Sequence, residues 1–300
     1  MNILKLNKVG NSNILVSETS LGCMSLDHAS NNQSIINYAL KMGINHFDTA
    51  DLYQFGLNEE MLGKLLLHKR HDIIISSKVG NQFNPLTKEV KWNPSKQHIK
   101  SSLKDSLTRL KTDYLDIYLL HGGTIEDNSD ETIEAFEELK KDGLIRSYGI
   151  SSIRPNVINY FIENSNIDVV MMQYSLLDRR AEYNMLDKLH QNNISVFSRG
   201  SLAKGLLTNE IKSIDSFLNY DRDEFKQIHE VLLTEFSSPI SSLAINYVLN
   251  HPAITSNVIG VSSLAQLTSN LKYLSDSRLS GDDYNKLKTL TKLINFTQHI

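Results

Sequence analysis

Residues 73–79 read IIISSKV, residues 95–110 read SKQHIKSSLKDSLTRL and residues 117–121 read IYLLH. The first and last are short apolar runs of strand length. The middle stretch spaces its apolar side chains three and four apart, so that they share one face of a helix. The same alternation continues almost from one end of the chain to the other. Further strand candidates fall at 19–24, 46–50, 147–152, 169–174, 194–199 and 257–261, and a further helical pattern at 133–141. The strand candidates then number eight, which is what an α/β barrel needs. Gly43 and Gly143 follow two of the helical segments, where a left-handed cap is commonly required.

A doubly wound sheet also alternates strands and helices. It usually carries a glycine-rich fingerprint, and neither G-x-G-x-x-G nor G-x-x-x-x-G-K-S/T occurs in this chain. The expected fold is therefore α/β, a (β/α)8 TIM barrel. With only five prolines and no Ser/Gly-rich linker, it is expected to span 1–300 as a single domain. The least patterned stretch is 201–223, and a loop that long in a compact domain is usually functional.

Of the 300 residues, 40% are hydrophobic and 22% charged, enough apolar surface to bury a large core. A formal net charge of −3 offers no excess of Lys and Arg for a nucleic-acid backbone or an anionic membrane, so a small molecule is the expected partner. Cys23 is the only cysteine and cannot by itself form an internal disulfide or a thiolate metal site. Residues 1–10 interleave Lys and Asn with apolar side chains, unlike a secretion signal, and no run approaches the roughly 20 apolar residues that span a bilayer. A soluble cytoplasmic protein is expected. Oligomeric state is not set by these features.

In such barrels the reactive groups sit at the carboxyl ends of the strands. Asp48, Tyr53, Lys78 and His121 all fall there. Taken singly, Asp48 and Lys78 also read as a structural ion pair, Tyr53 as a packing residue and His121 as a core histidine bonded to a carbonyl. Those readings leave unexplained why four proton-bearing groups gather at one end of consecutive strands. His46 and Asp48 share a strand face, with Asp51 three residues on, but no H-E-x-x-H or second ligand pair accompanies them, and no metal is expected.

The stretch Gly43-Ile44-Asn45-His46-Phe47-Asp48-Thr49-Ala50-Asp51-Leu52-Tyr53, followed by Gly56 and Asn58-Glu59-Glu60, closely resembles the signature of the aldo-keto reductase family. Ser77-Lys78-Val79, Ser106-Leu107-Thr108-Arg109-Leu110, Asp113-Tyr114-Leu115-Asp116 and Leu120-His121 follow in the family's order. So do Gly143-Leu144-Ile145-Arg146, Gly149-Ile150-Ser151 and Gln173-Tyr174-Ser175, so the likeness covers nearly the whole chain.

The resemblance implies an oxidoreductase that reduces an aldehyde or ketone with a nicotinamide dinucleotide. Tyr53 would donate the proton, although an unperturbed phenol titrates near pH ~10. Lys78 beside it would favour the phenolate, Asp48 would keep Lys78 charged and aimed, and His121 would orient the substrate oxygen or share in relaying the proton. Matching positions imply that Gly22, Cys23 and Met24 lie by the nicotinamide ribose and that Ser151, Ser152 and Gln173 hold the carboxamide, although the family usually has Asn at the position of Ser152. Core packing is an equal reading of Cys23 and Met24. Arg199 would stack on the nicotinamide, and Gly200, Ser201, Leu202 and Lys204 would wrap the pyrophosphate, with a plain surface charge the other reading of Lys204. Gly260, Ser262, Gln266 and Asn270 would meet the adenosine end. Many members carry a basic residue for a 2′-phosphate where this chain has Ser262, and some have another where it has Gln266; both are uncharged here, so NADH stays open while NADPH is favoured on family grounds. Two alternatives remain at this point: a cofactor-sensing subunit resembling the potassium-channel β-subunits, and a Schiff-base barrel using Lys78. The natural substrate is not legible.

Overall fold

The computed structural model describes residues 4–30, 32–210, 215–276 and 278–299. Every expected strand forms: β1 (Thr19–Gly22), β2 (His46–Asp48), β3 (Ile74–Val79), β4 (Leu115–Leu120), β5 (Ile145–Ser151), β6 (Val169–Gln173), β7 (Ser195–Arg199) and β8 (Ile254–Gly260). Each pairs in parallel with the next and β8 pairs with β1, which closes a TIM barrel. Three strands start earlier than their apolar runs, because Asp116, Arg146 and Thr255 interrupt the pattern near their starts. Asp116 is tolerated inside because Arg70 and Arg146 both pair with it, at 2.8 and 2.6 Å, and because the Ile75 N–H donates to it.

The lumen is filled by Ile74, Ile117, Leu119, Val169, Met171, Phe197 and Val258, in one cluster with Val9, Ile14 and Val16. Those last three belong to an N-terminal hairpin, Leu6–Lys8 paired with Leu15–Ser17, that plugs the amino-terminal end of the barrel. Its strands are three residues long and partly exposed, too short for a period-2 pattern to declare them.

Outside lie helices including α1 (Gln33–Lys41), α2 (Leu57–Leu66), α3 (Lys96–Leu110) and α4 (Ser129–Lys141). Ser95 caps α3 by accepting the His98 N–H, and Ile99, Leu103 and Leu110 form its buried face. α4 begins four residues before the 133–141 pattern. Asn128 caps it, and Asp130 and Glu131 occupy a polar first turn where the helix dipole favours acids. Gly43 and Gly143 adopt φ of +88° and +73°, the left-handed conformation expected of them. The 201–223 loop carries a short turn at Ala203–Gly205 and a hairpin of Ser216–Phe217 with Tyr220–Asp221; its residues 211–214 lie outside the described residues. Among the described residues, no helix is long and apolar enough to cross a membrane.

Gly149 lies opposite Val169 in the β5–β6 register, and a Cβ built on it would come within 1.8 Å of the Val169 carbonyl oxygen. Gly149→Ala is expected to force the two strands apart and to cost at least about 3 kcal/mol. Urea unfolding should show a lowered midpoint at unchanged slope.

Candidate active site

The barrel register brings the strand ends into one ring. Gly22 lies opposite Asp48 on one side and Gly260 on the other, Asp48 opposite Ser76, and Gln173 opposite Arg199. The loop after β2 continues along β3, with the Thr49 N–H on Ser76 O and the Asp51 N–H on Lys78 O. That path sets Asp48 and Lys78 side by side.

Lys78 is 1% exposed, so its charge has to be compensated inside the protein. Nζ donates to Asp48 Oδ2 at 2.7 Å, to the Thr49 carbonyl at 2.6 Å and to the Tyr53 hydroxyl at 3.3 Å. Three acceptors take all three ammonium protons. Burial works to lower the Lys78 pKa, but the charge of Asp48, followed by Tyr53, outweighs it and the pKa is raised. The second carboxylate oxygen, Asp48 Oδ1, accepts from Ser76 Oγ at 2.6 Å.

Tyr53 opens a tight turn, Tyr53–Gly56, in which Gln54 (φ 51°, ψ 31°) and Phe55 (φ 55°, ψ 46°) are both left-handed. Such conformations cost on the order of 1–3 kcal/mol each away from glycine, so surrounding contacts have to hold them. Gln54 does so by accepting the His28 N–H at 3.1 Å and donating to Leu26 O at 2.9 Å, and the Phe55 ring meets Phe83 edge-on at 5.8 Å. The motif residues behind the turn are structural ties: Asn58 takes the Thr49 hydroxyl, and Glu59 takes the Ser77 hydroxyl and the Arg109 guanidinium.

His121 follows β4, its N–H on Val79 O, and its ring stands 5.8 Å from that of Tyr53 at 80°. Burial, then the Lys78 charge, push it down to about 3, so the ring is neutral; its buried Nδ1 has no protein partner. Asp51 is likewise buried with neither carboxylate oxygen partnered, and burial followed by repulsion from Glu59 pushes it up to about 8. Burial lowers Arg199 from the usual guanidinium value.

The remaining positions fall along a path from β5 to the helix Leu264–Asn270. Ser151 and Ser152 are buried at the end of β5. Gln173 Oε1 accepts from Arg180, which is itself forked onto Asp178 with two bonds of 2.7 Å; neither residue was singled out in the sequence. Beyond β7, Gly200, Ala203 and Lys204 have φ of 76°, 46° and 59°, with Ser201 buried, Leu202 half-buried and Lys204 exposed. A Cβ on Gly200 or Gly260 would meet nothing within 4 Å, so both border open space. Ser262 donates both its N–H and its hydroxyl to Gln266 Oε1, at 2.8 and 3.1 Å, while Asn270 is buried. Met24 is 60% exposed at the rim.

Cys23 differs. Its side chain lies in the core, its N–H goes to Asp48 O and its carbonyl accepts from Asn58, so it keeps no polar group for a ligand. His46, weighed above with Asp48 and Asp51 as a metal ligand, has both ring nitrogens on serine hydroxyls instead. Among the described residues, no group of three or more His, Cys, Asp or Glu side chains is placed to hold a metal ion.

Residues 20–292 match the model of the Aldo/keto reductase family. The Bacillus subtilis (strain 168) protein described as uncharacterized oxidoreductase YqkF is 45% identical over 96% of this chain and 97% of its own length. Aldo-keto reductase yakc, NADP(+), of Schizosaccharomyces pombe is 31% identical over 70% of this chain and 64% of its own. Among solved structures, aldo-keto reductase AKR11C1 from Bacillus halodurans in its holo form superposes with a TM-score of 0.95 at 45% identity, covering 99% of both chains.

The buried groups set opposite pH trends in stability. His46, pushed down to about 4, and His121, pushed down to about 3, stay neutral where an unfolded histidine takes up a proton near pH ~6.5. The unfolded chain then binds more protons between those values, and stability falls as pH drops through that window. Asp51 acts the other way: the native chain holds its proton up to about pH 8, so stability falls as pH rises from the ordinary carboxylate range toward 8. Asp51→Asn is expected to flatten that second decline, read above the histidine window as a smaller fall in urea midpoint between about pH 7 and about pH 8.5.

Proposed function

Since the chain belongs to the aldo/keto reductase family, we propose that it reduces the carbonyl group of a small aldehyde or ketone with NADPH, Tyr53 delivering the proton. The observation that carries this reading is the Lys78 ammonium, 3.3 Å from the Tyr53 hydroxyl and 2.7 Å from Asp48. When bound, the reduced nicotinamide supplies the hydride. Everything else is the work of side chains. Negative charge develops on the substrate oxygen as hydride reaches the carbonyl carbon, and the Tyr53 O–H protonates it. The phenolate left behind lies against an ammonium that Asp48 keeps charged. Neutral His121, edge-on to Tyr53, meets the substrate oxygen as a hydrogen-bonding group rather than as a second cation.

For the cofactor, Ser151, Ser152 and Gln173 would hold the carboxamide, Arg199 would meet the nicotinamide, and Gly22 and Met24 would border its ribose. Gly200, Ser201, Leu202 and Lys204 would hold the pyrophosphate, and Gly260, Ser262, Gln266 and Asn270 would receive the adenosine end. Open ground beside Gly200 and Gly260 supports this path. So does the oxygen of Gln266 seated on both Ser262 donors, as a ribose or phosphate oxygen would be. NADPH is preferred over NADH on family grounds and by likeness to the NADP(+) reductase of Schizosaccharomyces pombe. With Ser262 and Gln266 uncharged the preference is modest, and titration of both dinucleotides by protein fluorescence should find NADPH the tighter.

A Schiff-base role for Lys78 is disfavoured, because an ammonium with all three protons engaged has no lone pair to attack a carbonyl. A pure cofactor sensor has no need of a proton donor held this tightly. Tyr53→Phe is expected to lower the rate of NADPH oxidation with simple aldehydes by at least about 100-fold while leaving cofactor binding within a factor of about two. Turnover at the parent rate in that variant would remove Tyr53 from the mechanism.

A further inference from the structure

One line of hydrogen bonds runs through the barrel interior away from Asp48. Ser76 Oγ donates to Asp48 Oδ1 at 2.6 Å, and His46 Nε2 lies 2.8 Å from Ser76 Oγ. On the other side of the ring, His46 Nδ1 is 2.7 Å from Ser20 Oγ, which is 2.5 Å from Ser256 Oγ. Ser256 then donates to the Ser17 carbonyl at 2.7 Å, where the line ends, since a backbone carbonyl passes nothing on. Ser20, His46, Ser76 and Ser256 are all wholly buried. The charged groups acting on His46 are Asp48, Asp116 and Lys78, and its ring packs at 4.9 Å from Phe197.

Counting protons assigns the tautomer. Asp48, paired with Lys78, only accepts, so the single proton of Ser76 is committed to it. The contact between Ser76 and His46 then has to take its proton from the ring, which places N–H on Nε2. Nδ1 is left as a lone pair facing the Ser20 hydroxyl. Three serine protons and one ring proton serve five contacts, so the line is one proton short.

We infer that His46 is the positioning residue for Asp48, its ring carrying a single proton on Nε2 and holding the Ser76 hydroxyl on Oδ1 so that Oδ2 stays on Lys78. The inference rests on the proposed function in so far as Asp48, Lys78 and Tyr53 are the proton machinery. Burial, which lowers His46 to about 4, keeps the ring in that singly protonated form at neutral pH. A hydrogen-bonded shell of this kind typically fixes the orientation of the group it touches.

The first test needs no substrate. In protein labelled with 15N-histidine, NMR should find the His46 proton on Nε2. Ser76→Ala should move it to Nδ1. With the Ser76 oxygen gone, a proton on Nε2 would face no acceptor, whereas one on Nδ1 donates to Ser20, Ser20 donates to Ser256 and Ser256 to the Ser17 carbonyl, so every remaining contact is served while the Lys78–Asp48 pair is untouched. A wild-type proton on Nδ1, or one that stays on Nε2 in Ser76→Ala, would overturn the assignment.

The second test uses turnover. His46→Gln keeps one donor and one acceptor and should hold kcat within about threefold, whereas His46→Leu should lose about 10–100-fold in kcat at nearly unchanged KM. Ser76→Ala should lose a similar factor, and combining it with His46→Leu should add little, since both break the same line. Parent-like kcat in His46→Leu would overturn the positioning role. Should Tyr53→Phe remain active while the tautomer moves as described, the functional reading fails and the hydrogen-bond line stands.

Discussion

An ammonium enclosed in a protein interior is tolerated only with a carboxylate against it and every remaining proton accepted, because desolvation otherwise costs several kcal/mol. Lys78 meets that condition through Asp48, the Thr49 carbonyl and the Tyr53 hydroxyl. Two of these three acceptors come from β2 and the residue after it, and the third from the turn that follows. Satisfying one buried charge therefore dictates where the β2 loop runs and where the phenol is presented. The reaction proposed here draws on the same contact that makes the burial possible.

Much of what surrounds the pair serves to keep that loop in place. Asn58 and Glu59 open α2 and bind back to Thr49, Ser77 and Arg109, while Gln54 grips the segment after β1. Two left-handed residues beside Tyr53 are held by these contacts, and they turn the chain sharply just after the phenol. Strain of this sort persists where the neighbourhood over-determines the backbone, and it gathers at functional sites. On the side away from the mouth, the serines and His46 continue the same ordering into the lumen.

His121 and Lys78 divide the electrostatic work. A second cation beside Tyr53 would compete for the carboxylate that balances Lys78, and burial keeps His121 neutral. Asp51, also pushed toward its neutral form, leaves Asp48 without a rival anion behind the loop. Lys78 and Asp48 thus face the phenol as one hydrogen-bonded charge pair, with the Arg199 cation also acting on Tyr53 and Asp48, in a setting where low dielectric strengthens each.

The eight strands, the glycine caps after α1 and α4, and the gathering of Asp48, Tyr53, Lys78 and His121 were legible from alternating apolar runs and from where those runs end. Such patterns are local, and each side chain reports its own burial. The N-terminal hairpin, the left-handed pair Gln54–Phe55 and the placement of Arg180 on Gln173 were not legible. The same holds for the line from Asp48 through Ser76 and His46 to Ser20 and Ser256, whose members are scattered from position 20 to position 256. Their meeting depends on the register of β8 with β1, β1 with β2 and β2 with β3, which only barrel closure sets. A linear pattern tells which residues turn inward; which atoms then touch is decided by how neighbouring strands are staggered when the sheet joins its own edge.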